Sequence, residues 1–247
     1  MAGPQRVAVV TGGGRGIGAA ICRRLAADGF AVAVNYSSSA ANAQEVADKI
    51  GADGGRAVAI RADVSDATQA EQLIAAATAE LGAPTVLVNN AGMNLAGAVR
   101  KQSPQDWDRV IGVNLSGAFY CTHAALPAMY ESGWGRVIFV SSPAGGRRPS
   151  PGMSAYAAAK AGLVGMTRSL ALEVARRGIT VNTVMPGFVE TEIIASGGEN
   201  AVETLAAHWP RIPAESVAAT VSFLAGEDGR HVSGEEVGVW LGGPVGI

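Results

Sequence analysis

Tyr156-Ala157-Ala158-Ala159-Lys160 sets a phenol and an ammonium four residues apart. In a helix the two lie on one face, one turn apart, with only alanines between them. A free phenol ionises near about pH 10 and is a poor acid or base at neutrality. A cation one turn away favours the phenolate and lowers that value. The chemistry on offer is therefore proton transfer. By itself the pair also fits an ordinary helix surface, so the rest of the chain has to decide.

Thr11-Gly12-Gly13-Gly14-Arg15-Gly16-Ile17-Gly18 offers a second chemistry, the binding of an anion. Glycines let the backbone turn sharply and approach a pyrophosphate, and a helix start supplies N–H groups and a positive dipole end. Gly12, Gly16 and Gly18 meet the spacing T-G-x-x-x-G-x-G. The spacing G-x-G-x-x-G fails, because Ile17 stands where its last glycine belongs. No Lys-Ser/Thr pair follows, which excludes a P-loop. Read alone, the run is a flexible loop. Its flanks, an apolar β-branched strand from Arg6 to Val10 and a helix from Ala19 to Ala27, make it a dinucleotide turn.

The next strand, Phe30 to Val34, ends at Asn35-Tyr36-Ser37-Ser38-Ser39. A dinucleotide unit that takes NAD carries an acid about 20 residues past the glycines, for the ribose 2′-hydroxyl. None stands here. A 2′-phosphate would meet Asn35, the hydroxyl of Ser37 and its neighbours, and the nearby Arg15. The expected cofactor is NADP(H), and the plain alternative is a solvated polar loop.

The elements that must position these residues alternate. Helices are expected from Ala40 to Ile50, Asp66 to Leu81, Pro104 to Tyr130, Ser154 to Arg177 and Pro213 to Ala225. Strands are expected at Ala57–Ile60, Thr85–Val88, Arg136–Val140, Ile179–Val184 and Val237–Leu241. Ser154 is a candidate N-cap. Asn114 falls in the middle of the long fourth helix, where its side chain competes for backbone groups. This alternation predicts parallel βαβ units joined right-handedly. The fold class is α/β: a Rossmann-type doubly wound sheet of about seven parallel strands with helices on both faces. Residues 1–247 read as a single domain, with a substrate lid over about 188–210. The fifth strand of the chain, Arg136–Val140, delivers Ser141-Ser142 at its carboxyl end, where open α/β sheets bind ligands.

Composition narrows the partners. The 247 residues are 48% hydrophobic, which allows a large core, and 19 Lys+Arg against 21 Asp+Glu give a net charge of −2. That balance argues against nucleic acid or an anionic membrane as partner. Cys22 and Cys121 fall in separate helical stretches and are expected as buried, reduced thiols. His123, His208 and His231 lack metal-ligand spacing, so no metal is expected. Residues 1–5 carry no signal pattern and no apolar run reaches 18 residues; a cytoplasmic location is expected.

Taken in order, the glycine turn, Asp63-Val64, Asn89-Asn90-Ala91-Gly92, Asn114, Ser142, Tyr156/Lys160 and Pro186-Gly187 resemble the short-chain dehydrogenase/reductase family over nearly the whole chain. Asn35-Tyr36, Trp134-Gly135-Arg136 and Pro186-Gly187-Phe188-Val189-Glu190-Thr191 look most like its 3-oxoacyl-[acyl-carrier-protein] reductase and acetoacetyl-CoA reductase branch. The resemblance implies an NADPH-dependent oxidoreductase that reduces the ketone of a 3-oxoacyl thioester, on acyl carrier protein or CoA, by hydride transfer. It implies Tyr156 as general acid and Lys160 as the group that tunes it and holds the nicotinamide ribose. Ser142 would bond the substrate carbonyl, and Asn114 would hold a water for proton resupply. Gly12, Arg15, Gly16, Ile17 and Gly18 would line the pyrophosphate, Asp63 and Val64 the adenine, and Asn90, Ala91 and Gly92 the inner ribose. Pro186, Gly187, Val189 and Thr191 would flank the nicotinamide. A homotetramer or homodimer is implied as well. A tailoring ketoreductase acting on a polyketide or other small ketone is the alternative enzyme, and a redox-inert NADP-binding sensor the alternative class.

The sequence departs from that branch in several stretches. The Ser142-to-Tyr156 interval is one residue longer than usual and contains Arg147-Arg148, which read either as a solvated loop or as a contact for a substrate phosphate or carboxylate. Trp209-Pro210-Arg211-Ile212-Pro213 is shortened, and the tail from Leu241 to Ile247 is unusual. Glu131, Ser132, Gly133 and Leu172 stand where basic residues for a carrier protein are frequent. Trp209, Met153 and Met185 fit either a pocket wall or core packing.

Overall fold

The computed structural model describes residues 5–148, 150–189 and 209–241. Its strands are β1 (Val7–Val10), β2 (Ala31–Tyr36), β3 (Arg56–Arg61), β4 (Pro84–Asn89), β5 (Gly135–Val140), β6 (Ile179–Pro186) and β7 (Glu236–Val239). They form one sheet in the order β3-β2-β1-β4-β5-β6-β7, with every neighbouring pair parallel. The helices are α1 (Gly16–Ala27), α2 (Ala40–Ala52), α3 (Ala67–Leu81), α4 (Pro104–Ile111), α5 (Gly117–Ser132), α6 (Ser154–Val174) and α7 (Ala214–Ala225).

Both faces of the sheet are covered. In β1, Val7 and Val9 join a core cluster with Leu73 of α3, Cys121 of α5 and Leu163 of α6, while Ala8 and Val10 join Ile21 of α1, Val46 of α2 and Val221 of α7. A strand buried on two faces has no reason to alternate with polar residues, which is why the strands read as unbroken apolar runs. Edge strand β3 is only half-buried and carries an arginine at each end, which discourages pairing with another chain. Chain order reverses between β1 and β4, so the sheet opens a crevice there at its carboxyl edge.

Three expectations change in detail. The helix expected from Pro104 to Tyr130 is interrupted by a π-helical turn over Gly112–Ser116. Its start is well specified: Ser103 and Asp106 form a capping box, with Pro104 in the first turn. Its interruption has a local cause, because the Asn114 amide donates to the Val110 carbonyl one turn back, at 2.8 Å. Ser154 does not cap α6; it is the first residue of the helix and follows Met153, which makes no capping bond. The last strand ends at Val239, so Trp240 and Leu241 lie beyond it. Of the expected lid, residues 190–208 lie outside the described residues. No described helix is long and apolar enough to cross a membrane. Cys22 and Cys121 are free and buried, and burial pushes the Cys121 thiol up to about 12.

Candidate active site

The glycine turn sits at the crevice between β1 and β4 and is braced from both sides. Gly12 and Gly16 take positive φ values of 61° and 51°, which side-chain-bearing residues rarely adopt. On one side the Gly12 N–H donates to Asn35 Oδ1 at 3.2 Å and the Gly13 N–H to the Asn35 carbonyl at 2.8 Å. On the other, the Asn90 amide donates to the carbonyls of Thr11 and Gly12 at 3.0 and 3.1 Å. Thr11 Oγ1 in turn accepts the N–H groups of Asn90 and Ala91. Gly18 closes the cradle: a Cβ there would stand 2.2 Å from the Gly12 carbonyl oxygen and 2.6 Å from Asn90 Nδ2. Arg15, at the N-cap of α1, makes no capping bond with its side chain. A cradle emptied of side chains against an uncapped helix start fits a dinucleotide pyrophosphate.

Asn35 departs from its expected place. Strand β2 runs on to Tyr36, so Asn35 is a strand residue in phase with Ala31 and Ala33 and points inward. It is 2% exposed, and its Nδ2 donates to the carbonyls of Tyr36, Ile60 and Ala62. Asn35 therefore holds the glycine turn rather than facing a ribose phosphate. The exposed groups at that strand end are Ser37 and Arg61, whose Nε donates to the Ser37 carbonyl at 3.4 Å. The sequence reading missed Arg61; its signal was a cation at the carboxyl end of an edge strand beside Ser37. The Asp63 carboxylate closes a local turn onto the N–H and hydroxyl of Ser65. Val64 is buried beneath Gly117, where a Cβ would meet the Val64 carbonyl oxygen at 2.8 Å.

The residues expected to transfer the proton converge next to this cradle. Tyr156 and Lys160 occupy the first turns of α6, and both are buried, Lys160 being 4% exposed. Lys160 Nζ lies 5.6 Å from the centre of the Tyr156 ring and donates to the Val140 carbonyl at 2.8 Å. The two serines after β5 take different tasks. Ser141 Oγ donates to the Lys160 carbonyl at 2.9 Å and locks the helix to the strand, whereas the Ser142 hydroxyl faces the phenol. Asn114 is buried on the π turn; its Nδ2 also donates to the Met93 carbonyl, and its Oδ1 accepts the Met93 N–H. Gly92 separates these groups: a Cβ there would be 2.9 Å from Asn114 Oδ1 and 3.5 Å from Lys160 Nζ. Val110, Ala144, Ala155, Leu95 and Met153 pack around Tyr156 as a small apolar cluster. Met185 lies in the interior, 2% exposed.

Electrostatics here differ from the expectation that the ammonium acidifies the phenol. Burial pushes the Tyr156 phenol above its ordinary value of 10, and the Ser142 hydroxyl offsets part of that. Burial likewise takes Lys160 from 10.5 down to about 8. Desolvation wins because both groups are inside, away from water. The result is a phenol that keeps its proton at neutrality beside an amine whose value lies near 8.

Pro186, the last residue of β6, and Val189 beyond it are buried, and the Gly187 N–H donates to the Val239 carbonyl at 2.8 Å. Thr191 lies outside the described residues. Among the described residues no three His, Cys, Asp or Glu cluster as metal ligands would.

Residues 6–201 match the family model of short chain dehydrogenases. The 3-oxoacyl-[acyl-carrier-protein] reductase FabG of Staphylococcus aureus is 38% identical over 235 residues, covering 94% of this chain and 95% of that protein. The acetoacetyl-CoA reductase of Rhizobium meliloti is 39% identical over 239 residues, 94% of this chain and 96% of its own. A blue fluorescent protein from a metagenomic library, solved in complex with NADPH, superposes with a TM-score of 0.90 at 41% identity, covering 97% and 98% of the two chains.

Proposed function

The chain belongs to the short-chain dehydrogenase family of oxidoreductases, and from that premise we propose that it reduces the ketone of a 3-oxoacyl thioester to a secondary alcohol with NADPH. The observation that carries the reading is the meeting of Ser142, Tyr156 and Lys160 beside Gly92, one strand away from the glycine cradle. NADPH, when bound, supplies the hydride for the carbonyl carbon. Gly12, Arg15, Gly16, Ile17 and Gly18 would hold its pyrophosphate, and Ser37 with Arg61 its 2′-phosphate. Asp63 and Val64 would flank the adenine, Asn90, Ala91 and Gly92 with Lys160 the inner ribose, and Pro186, Gly187, Val189 and Thr191 the nicotinamide.

The chain's own residues manage the proton. Tyr156, kept protonated by burial, donates its phenolic proton to the carbonyl oxygen as negative charge develops there. Ser142 donates a hydrogen bond to the same oxygen, and preorganised donors of that kind are worth most in a dry site. Lys160, with a value near 8, gives the phenol a partner from which to recover its proton at neutral pH. Asn114, pinned by Met93 and Val110, fixes the far side of that pocket and would hold a water there. A tailoring reaction on another small ketone is the second reading; the apolar cluster around Tyr156 favours it, since it would suit a compact hydrophobic substrate.

Cofactor oxidation followed with acetoacetyl-CoA and a panel of cyclic and polyketide-like ketones tests the proposal. The thioester is expected to be reduced with the highest kcat/KM, and NADPH to bind more tightly than NADH. Tighter binding of NADH, or no turnover of any ketone, would remove it.

A further inference from the structure

Three of the stretches in which the sequence departs from the branch it resembles are more than 90 residues apart at their extremes, yet residues in or beside them meet. The enlarged loop brings Arg147 and Arg148, the shortened segment brings Trp209, and the residue just before the tail is Trp240. Trp209 and Trp240 pack edge to face with ring centres 6.3 Å apart. Arg148 Cζ lies 5.7 Å from the Trp209 ring centre and Arg147 Cζ 5.8 Å from that of Trp240.

The seat is built. Gly238 and Gly187 make room for Trp240: a Cβ on Gly238 would stand 2.2 Å from the indole, and one on Gly187 2.7 Å from the Trp240 Cβ. The arginine turn is fixed by its backbone, the N–H groups of Arg147 and Arg148 donating to the Pro143 carbonyl at 2.9 and 2.7 Å. Pro143 directly follows Ser142, so this turn is anchored one residue from the hydroxyl that faces the phenol.

Charge at this corner is unbalanced. Glu236 pairs with both Arg147, at 3.8 Å, and Arg168. Arg148 has no carboxylate within ion-pair distance among the described residues. Among the described residues, three guanidiniums against one carboxylate leave a positive excess here, on a chain whose net charge is −2. Among the described residues the Arg148 guanidinium meets the Trp209 ring, an attraction that leaves its N–H groups able to bond an anion.

We propose that Arg148, set against the ring of Trp209, is a specificity-determining contact that binds an anionic group, carboxylate or phosphate, on the ketone substrate. This rests on the reductase reading of the site and adds the substrate's charge to it. The apolar stretch between ketone and anion lies along the indoles, and the planar guanidinium takes the anion through two parallel hydrogen bonds.

Three substrates that share one ketone separate the sources of charge: acetoacetyl-CoA carries phosphates, acetoacetate a carboxylate, and the N-acetylcysteamine thioester of acetoacetate neither. Steady-state constants are measured for the wild-type protein and for Arg148→Gln, Arg148→Lys and Arg147→Gln. For one of the two anionic substrates, Arg148→Gln is expected to lower kcat/KM relative to the neutral thioester by about tenfold or more, mainly through KM. Arg148→Lys is expected to recover much of that ratio, and Arg147→Gln to move it less, since Glu236 already holds Arg147. Which anionic substrate responds identifies the group. A ratio that stays within about twofold for both overturns the proposal, as does an equal loss for the neutral thioester. A wild-type protein that reduces none of the three removes the reductase reading itself, and is thereby told apart from an enzyme that reduces all three without regard to charge.

Discussion

Strand β5 ends on a buried cation at each side of the sheet, and the two behave differently. At its carboxyl end Lys160 donates to the Val140 carbonyl, with no carboxylate in ion-pair reach among the described residues. At its amino end Arg136, 1% exposed, donates to the carbonyls of Gly135, Gly178 and Gly226 at 2.8, 3.3 and 3.4 Å. The Arg136 guanidinium also lies 4.1 Å from the centre of the Trp134 ring, which Arg6 approaches to 3.7 Å. Glu227 binds Arg6 at 2.7 Å and accepts from Trp134 Nε1 at 3.2 Å, setting a negative charge beside the group. Desolvation weakens both cations' hold on their protons, and at Arg136 Glu227 partly restores it. An arginine starts so far above neutrality that it stays charged, whereas a lysine under the same penalty comes within reach of working pH. One strand thus meets a strut at one end and a group that titrates near working pH at the other, and residue type with its partners decides which is which.

Activity should break this symmetry most sharply. Lys160→Met and Tyr156→Phe are expected to keep the fold and lose turnover by about a thousandfold or more. Tyr156→Phe should still bind NADPH normally, because the ring and its apolar cluster remain. Arg136→Met, about 13 Å from Val140 along the same strand, should leave kcat of the folded protein within about twofold. Near-wild-type turnover in Tyr156→Phe would contradict its role as acid, and a collapse of kcat in soluble Arg136→Met would deny that the two ends are independent.

Stability should invert the order. Removing the Arg136 guanidinium strands three carbonyls that it now satisfies and strips Trp134 of a cation. Arg136→Met is expected to cost about 3 kcal/mol or more in urea unfolding. Lys160→Met deletes a charge whose burial was itself unfavourable, and should cost clearly less. Equal losses in the two variants would mean that Lys160 is as structural as Arg136.

The sequence made some of this legible and hid the rest for physical reasons. The five inner strands, buried on both faces, announce themselves by composition, and the edge strands β3 and β7 were readable from their short apolar runs; so was the glycine turn, whose spacing is dictated by the steric limits at Gly12, Gly16 and Gly18. The Tyr156/Lys160 pair was readable because helical spacing alone puts them on one face. Periodicity could not reveal the π turn, since Val110, Leu115 and Phe119 keep near-helical spacing through it and only the bond from Asn114 to Val110 marks it. Asn35 was misplaced because β2 extends two residues further than its apolar run, and one strand position decides inward or outward. The sign of the Tyr156 shift needed burial, which spacing does not carry. The meeting of Arg148, Trp209 and Trp240 needed topology, since the carboxyl ends of β5, β6 and β7 must be neighbours before those residues are.

The smallest expected effect is the most direct test of the contrast, because it reads the proton itself. Below about pH 8 Lys160 is protonated in the folded and the unfolded chain alike, and the folded chain bears the full cost of a buried charge. Between about 8 and 10.5 the folded chain has released the proton and the unfolded chain still holds it. Unfolding then takes up a proton, so stability rises with pH across that window, by about 3 kcal/mol in full. Tyr156 opposes this at the upper end: its phenol is raised above 10 in the folded chain, so above that pH the unfolded chain ionises first and stability falls. The gain should therefore be visible between about pH 7.5 and 9.5, as a rise of about 1–2 kcal/mol in the stability of the wild type relative to Lys160→Met in urea unfolding. The same difference taken against Arg136→Met should be flat, because that guanidinium does not titrate there. A flat difference against Lys160→Met as well would mean the ammonium stays charged throughout, and the two ends of β5 would then be the same kind of group.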